Sequence, residues 1–133
     1  MKDTCLCFAA QRAARALGRR FDAAFRAVGV TNEQFSLLNA LNRAAPPMLG
    51  EVAELLAADR TTLTAALKPL VRRGLVAVKA DATDARTRRI VLTAKGHALL
   101  AKAVPIWRRE HTRLERGIAD AGAVRRGLAA LAK

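Results

Sequence analysis

The chain of 133 residues has no tyrosine, one tryptophan and four phenylalanines, so its core has to be built from Ala, Leu and Val rather than from aromatic rings. Cysteine is as scarce. Cys5 and Cys7 lie one residue apart, which on a helix turns them about 200° from each other, and a disulfide framework is excluded. Together with His97 and His111 they are spaced unlike a zinc site, so no metal is expected. No apolar run reaches the roughly 18 residues of a spanning helix, and the start shows no basic leader followed by an apolar block. The expectation is a cytoplasmic protein without a membrane span. A Ser-His-Asp set, a glycine-rich phosphate loop and a carboxylate pair in a plausible cleft are all missing, which argues against an enzyme and implies no cofactor. Acidic residues are few: 11 against 24 Lys and Arg, a formal charge of +13. That imbalance points to a polyanionic partner, either nucleic acid or an anionic membrane surface.

What is present is concentrated between Leu49 and Arg89. Apolar residues at Leu49, Val52, Ala53 and Leu56 repeat at helical spacing, stop at Ala57-Ala58-Asp59 and resume at Leu63, Ala66, Leu67, Leu70 and Val71. This predicts two short helices joined by a tight turn, with Asp59 as N-cap of the second and Gly74 as its stop. Pro69 lies inside the second helix and removes the amide that would bond Ala65, so a bend near the third turn is expected. Leu75–Val78 and Ile90–Leu92 are short and β-branched, with a charged segment from Lys79 to Arg89 between them, the pattern of a hairpin with a long tip. Helix, turn, helix and hairpin in this order describe a winged helix-turn-helix, whose second helix enters the DNA major groove while the hairpin tip meets the backbone or minor groove. The expected contacts are Arg60, Thr61, Thr62, Thr64, Ala65, Lys68 and Arg72 on or beside the exposed side of that helix, and Arg88 among the basic residues of the wing. Threonine hydroxyls bond phosphates or base edges, and Arg or Lys reaches guanine. The plainer alternative is a solvated basic surface, which does not account for the charge falling on a helix-turn-helix-wing order.

The flanks read as helices. From Cys5 to Val28, a seam of Cys7, Ala10, Ala14, Leu17, Phe21, Ala24 and Val28 runs at steps of three and four, and Gly29 ends it. Thr31 and Gln34 form a capping box before a helix with Phe35, Leu38 and Leu41 on its buried face, broken at Ala45-Pro46-Pro47. Met48-Leu49 is a minimal strand candidate. Thr93 to Ala119 is mostly helical, with Leu100, Ala103, Trp107, Leu114 and Ile118 on one face and Pro105 within it; Gly122 marks a break before a short terminal helix carrying Val124, Leu128 and Leu131. The fold expected is mainly α with a small β-wing, divided into an N-terminal dimerisation helix (1–30), a winged helix-turn-helix (31–93) and C-terminal dimerisation helices (94–133). A long apolar seam outside a small winged unit needs a receiving surface, and one recognition helix reads only a few base pairs, so a homodimer is expected.

These pieces resemble the MarR family of bacterial transcription regulators along nearly the entire chain: Thr31–Leu38, Leu49-Gly50-Glu51-Val52-Ala53, Asp59–Thr64, Leu67-Lys68-Pro69-Leu70, Arg73-Gly74-Leu75-Val76, the wing signature Asp84-Ala85-Arg86, and Leu92-Thr93 with Gly96. The resemblance implies a dimeric repressor that covers a pseudo-palindromic operator and releases it on sensing a small ligand or oxidant. It makes Arg86 the wing-tip arginine entering the minor groove and Asp84 the carboxylate that orients it. Ala65 and Ala66 stand where relatives often carry longer polar side chains, so base readout leans on the threonines and on DNA shape. An effector pocket between stalk and winged unit, with Phe8, Arg12, Phe35 and Trp107, follows from the resemblance alone, and Arg12 there suits an anionic aromatic effector. Leu6-Cys7-Phe8 is similar to the organic-hydroperoxide-sensing branch, which would make Cys7 a redox centre. The positions where that branch carries tyrosines hold Gln11, Phe21 and Asn32, which favours reading Cys7 as a small buried hydrophobe. A further alternative is a non-specific architectural DNA-binding protein, distinguished from a specific regulator by competition with random DNA.

Overall fold

The computed structural model describes residues 3–133. Its elements are α1 (Leu6–Phe25), α2 (Asn32–Ala40), α3 (Leu49–Leu55), α4 (Arg60–Arg72), β1 (Val76–Ala80), β2 (Arg88–Leu92), α5 (Ala94–Arg116) and α6 (Ala121–Leu131), with a 3₁₀ turn at Arg26–Val28. The strands pair antiparallel with Val76 opposite Leu92 and Ala80 opposite Arg88. Helix, turn, helix and two-stranded wing therefore occur in the order read from the sequence.

Side-chain caps decide several boundaries. Thr31 accepts the Gln34 amide at 3.1 Å while Gln34 Oε1 accepts the Thr31 amide at 3.0 Å, the reciprocal box expected. Asp59 caps α4 and Thr93 caps α5. In the turn between α3 and α4, Ala57 adopts a left-handed backbone (φ 51°), and Gly74 does the same (φ 72°) where α4 ends. Alanine carries a Cβ cost in that region that glycine avoids.

The core lies where the end of α1, α2, α3, α4, the wing and the first half of α5 meet: Phe25, Leu38, Val52, Leu70, Leu75, Val76 and Ile90 are almost wholly buried. Phe25 stacks on Phe35 with ring centroids 4.5 Å apart. The N-terminal start of α5 sits closest to the wing. A Cβ on Gly96 would fall inside the Leu75 carbonyl oxygen and 2.7 Å from Leu92 Cδ1, so only glycine lets α5 leave the sheet at this point. Thr93 Oγ1 donates to Gly74 O at 2.7 Å and Lys95 Nζ to Arg73 O at 2.9 Å, satisfying carbonyls at the end of α4.

Several expectations are corrected. The N-terminal seam buries only Phe21 within one chain, and the deepest residue of α1 is Phe25, which lies outside the seam and is fixed by its stack on Phe35. Helix α2 stops at Ala40, well before Pro46, because the chain tightens through Leu41 and Asn42, whose amides bond Leu37, Leu38 and Asn39 carbonyls. Of the Met48-Leu49 strand only Met48 bridges, to Arg89, while Leu49 begins α3. The strands run further into the charged segment than apolar patterning indicates, since ladder hydrogen bonds need no apolar side chain; the tip is residues 81–87. The break after α5 falls at Gly117, not Gly122, because Asp120 Oδ1 caps α6 at the Ala123 amide (2.9 Å) and places Gly122 in the first turn; Ile118 is thus outside the helix.

Candidate nucleic-acid interface

On α4 the first turn is set by Asp59, whose Oδ1 accepts the Thr62 amide at 2.7 Å and whose Oδ2 accepts the Thr62 hydroxyl at 2.8 Å. These two donors, the amide first, hold the Asp59 carboxyl below its ordinary range. Thr62 is consequently a capping residue whose hydroxyl proton is committed, leaving Thr61 and Thr64 as the hydroxyls with no such bond. Arg60 lies back across α3: a Cβ on Gly50 would meet its Nη2 at 2.8 Å. Arg60, Thr61, Thr62, Thr64, Ala65, Lys68 and Arg72 are all exposed, while Leu63, Leu67 and Leu70 hold the opposite face in the core.

The wing tip is shaped by two aspartates. Asp81 Oδ2 accepts the Thr83 hydroxyl (2.7 Å) and the Thr83 and Asp84 amides, and Asp81 Oδ1 accepts Arg89 Nε at 2.9 Å. The Thr83 hydroxyl, then the Arg89 guanidinium, push its carboxyl well below the usual carboxylate range. Asp84 accepts the backbone amide of Arg86 at 3.0 Å and the Thr87 hydroxyl at 3.2 Å. Asp84 thus acts on Arg86 through its main chain. The Arg86 side chain is exposed and, among the described residues, has no ion-pair partner. A short Asx-type bond to the peptide two residues on is the ordinary behaviour of aspartate in a turn.

Arg89 was not singled out among the contacts, yet it joins the wing to the helix-turn-helix. Besides Asp81 it donates from Nη1 to Pro46 O at 3.1 Å and lies 3.6 Å from Glu51, while the Ile90 amide donates to Pro47 O at 2.9 Å. Glu51 Oε1 also accepts the Met48 amide at 3.3 Å. The alternation of strand residues was the available signal, since it puts Arg88 and Ile90 on one face, where both line a trough beside α4, and Arg89 on the other.

Helix and wing converge on one trough of about 380 Å³. Its walls are Leu49, Leu67, Val71, Val78 and Ile90, and Thr64, Lys68, Arg72 and Arg88 line it as well. Four of the expected contact residues, from two elements, thus share a single concave surface.

The other candidate sites part company. Phe35 and Trp107 line a cleft of about 460 Å³ with Ser36, Asn39, Ala40, Leu55, Leu56 and Val104, and none of these side chains is charged. Phe8 and Arg12 are not among them; both are exposed, and Phe8 lies about 25 Å along the helix axis from Phe25, the residue of α1 that stacks on Phe35. Arg12 therefore gives this cleft no charge within one chain. Cys7 is exposed, not buried, and accepts from Gln11 Nε2 at 3.4 Å, because the N-terminal turns of α1 are uncovered. Cys5 Sγ accepts the Phe8 amide as cap of α1. His97 and His111 lie on α5, and among the described residues no group of three or more His, Cys, Asp or Glu is arranged to hold a metal. No described helix is long and apolar enough to cross a membrane.

Comparison with known proteins bears on this geometry. A family model described as MarR family matches residues 28–87, from the end of α1 to the wing tip. The transcriptional regulator MosR of M. tuberculosis, solved in complex with DNA, is 44% identical, with 96% of this chain and 93% of that chain covered and a TM-score of 0.89. The chain belongs to the MarR family. A transcriptional repressor, CouR, solved on a 23-mer DNA duplex, is 29% identical over 98% of this chain and 94% of its own, with a TM-score of 0.87. The transcriptional regulator HosA of Escherichia coli O157:H7 is 39% identical over 79 residues; the match takes in 58% of this chain and spans 57% of the length of that curated relative. Members of the family are transcriptional regulators, not enzymes, and the winged-helix architecture is theirs.

Proposed function

We propose that this chain is a DNA-binding repressor acting as a homodimer, which covers a pseudo-palindromic operator and releases it when a small molecule enters the Phe35–Trp107 cleft. The observation that carries the DNA surface is the shared trough: Thr64, Lys68 and Arg72 of α4 and Arg88 of the wing converge while Arg86 stands free at the tip. That arrangement suits a duplex, with cations for phosphates and a lone guanidinium for a narrow minor groove. Thr61 and Ala65 complete the helix face, and Asp84 sets the Arg86 backbone. The 44% identical relative was solved with DNA bound.

Dimerisation through the terminal helices is supported by apolar side chains left uncovered at both ends of the chain: Leu6 and Phe8 on α1, and Val124, Leu128 and Leu131 on α6, the last 57% exposed. An uncharged lining makes the effector a neutral, partly aromatic molecule rather than an anion, with Trp107 and Phe35 as its apolar walls. Light scattering after size exclusion at micromolar concentration is expected to give a dimer. Gel shifts of the DNA flanking the gene are expected to survive at least about 10³-fold random competitor and to be relieved by the effector; equal affinity for random DNA would leave the architectural reading instead.

A second reading rests on Cys7, whose thiol is reachable by solvent. If it senses oxidants, stoichiometric hydroperoxide releases DNA from the native chain and not from Cys7→Ser, whereas a thiol that stays reduced under that treatment disposes of the idea.

A further inference from the structure

Most of the net positive charge of this protein lies outside the winged unit taken as a whole. Residues 31–93 carry nine Lys and Arg against six Asp and Glu; residues 1–30 carry six against two, and residues 94–133 nine against three. Ten of the thirteen surplus charges therefore sit on the terminal helices. Within them the densest group is Arg108, Arg109, Arg113 and Arg116 on the second half of α5, all exposed within one chain and on the side of the helix away from Leu100, Ala103 and Trp107; with Thr112 they line a surface hollow of about 250 Å³.

These guanidiniums are largely uncommitted. Glu110 reaches Arg113 at 3.6 Å but also bonds Arg20, and among the described residues Arg108, Arg109 and Arg116 have no ion-pair partner. The Thr112 hydroxyl is spent on the Arg108 carbonyl at 2.8 Å and does not compete for a ligand. From Arg108 to Arg116 the ridge is about 12 Å long, which matches about three to four phosphates at the rise of one DNA strand. Arg109–Arg113 and Arg113–Arg116 are like pairs that oppose helix formation, and among the described residues only Glu110, three residues before Arg113, sets an opposite charge against them.

The ridge is also remote from the recognition surface. Helix α5 starts at the wing base through the Thr93 and Lys95 bonds, and Arg108 to Arg116 lie roughly 20 to 30 Å further along its axis, more than two screening lengths at physiological salt. It cannot simply add to the field at the wing. We propose that the Arg108–Arg109–Arg113–Arg116 ridge is a second, sequence-independent surface that binds the phosphate backbone of another DNA segment, so that one assembly joins two duplexes. The proposal rests on the DNA-binding reading only for the nature of the polyanion. A small phosphate ligand is disfavoured because the surplus charge spreads along both terminal helices instead of closing around one pocket.

The test is a sandwich assay with the full chain. One random 30-base-pair duplex is held on beads, and capture of a second, fluorescent duplex of unrelated sequence is read as protein is added. Native protein is expected to capture the second duplex. The fourfold variant Arg108→Gln, Arg109→Gln, Arg113→Gln, Arg116→Gln is expected still to bind the immobilised duplex through the recognition surface but to capture at least tenfold less of the second. The fourfold Arg→Lys variant, which keeps the charge, is expected to restore capture, and matching thermal melts exclude unfolding. An Arg86→Ala, Lys68→Ala chain is expected still to hold the immobilised random duplex through the ridge while capturing less of the second, and complete loss of duplex binding by that chain would count against the ridge. No capture by native protein, undiminished capture by the glutamine variant, or micromolar binding of inorganic pyrophosphate that the glutamine variant loses without any capture of DNA would each overturn the proposal.

Discussion

The winged unit and the terminal helices of this chain solve opposite problems with similar residues. Between Thr31 and Thr93, three short helices and a two-stranded wing bury most of their large apolar side chains, with Met48, Leu55, Val71 and Val78 exposed, and Glu51, Asp59, Asp81 and Asp84, four of the six acids of the unit, are engaged as a cap, a turn former or an anchor. Helices α1 and α6 bury Phe21 and Phe25 and nothing else within one chain. The difference teaches that the candidate DNA-facing surface is preorganised within one chain, whereas the terminal helices leave apolar side chains uncovered in it. It also separates two uses of charge. On the winged unit a small surplus is aimed, with Asp59, Asp81 and Asp84 spent on geometry so that Lys68, Arg72 and Arg86 stay free; on the terminal helices a larger surplus is left in the open.

The sharpest way to break this comparison is to empty the core of the winged unit. Leu70→Ala, at a site with no exposure, is expected to cost about 3 to 4 kcal/mol in urea unfolding. Leu128→Ser on α6 should instead leave unfolding of dilute protein nearly unchanged and raise the concentration at which dimers form. If Leu128→Ser proves as costly in the dilute chain as Leu70→Ala, the division into a finished and an unfinished region fails.

Arg86→Ala comes next, and it sharpens the distinction between aimed and open charge. It should weaken DNA binding by about 1 to 3 kcal/mol and reduce the slope of affinity against salt by roughly one counterion, read in a fluorescence titration across salt concentrations. An unaltered slope removes Arg86 from the interface.

The cap of α4 offers a smaller, pH-dependent effect. Because Thr62 holds the Asp59 carboxyl below its unfolded range, the cap stabilises α4 at neutral pH, and that contribution disappears as pH falls through the folded-state value. Asp59→Ala should lower stability at pH 7, and progressively less so in acid, with the native and variant stability curves converging. Curves that stay parallel down to acid pH would deny the cap its role.

The smallest expected change runs the other way. Ala57→Gly removes the Cβ from a left-handed turn and should stabilise the winged unit by about 0.5 to 1 kcal/mol, offset in part by the greater freedom of glycine in the unfolded chain. A loss of stability would mean that the turn prefers alanine for a reason other than its φ.

Much of the fold was legible because its determinants are local. The Thr31–Gln34 box, the Asp59 cap and Gly74 act within four residues of where they stand, and the apolar spacing of Leu63, Leu67 and Leu70 reports one buried face directly. Legibility failed where a partner is distant in sequence. Phe25 belongs to the core because Phe35 stacks on it across a turn, which a single-helix seam does not register. Asp81 and Arg89 are neighbours only through the hairpin register, so the sequence drew attention to Asp84 instead. The separation of Phe8 and Arg12 from the Phe35–Trp107 cleft follows from the length of α1, which carries them far from the place where it meets the core.

By itself, then, the order of residues determined the elements, their caps and the identity of the exposed basic side chains on α4 and at the wing tip, since helix and strand periodicity and capping chemistry are short-range. Tertiary structure decided which guanidiniums are occupied and which are left over. Arg89 is consumed by Asp81, Glu51 and Pro46 while Arg86 and the α5 ridge remain available, because an ion pair depends on how the chain brings carboxylates within reach and not on how charge is counted along it.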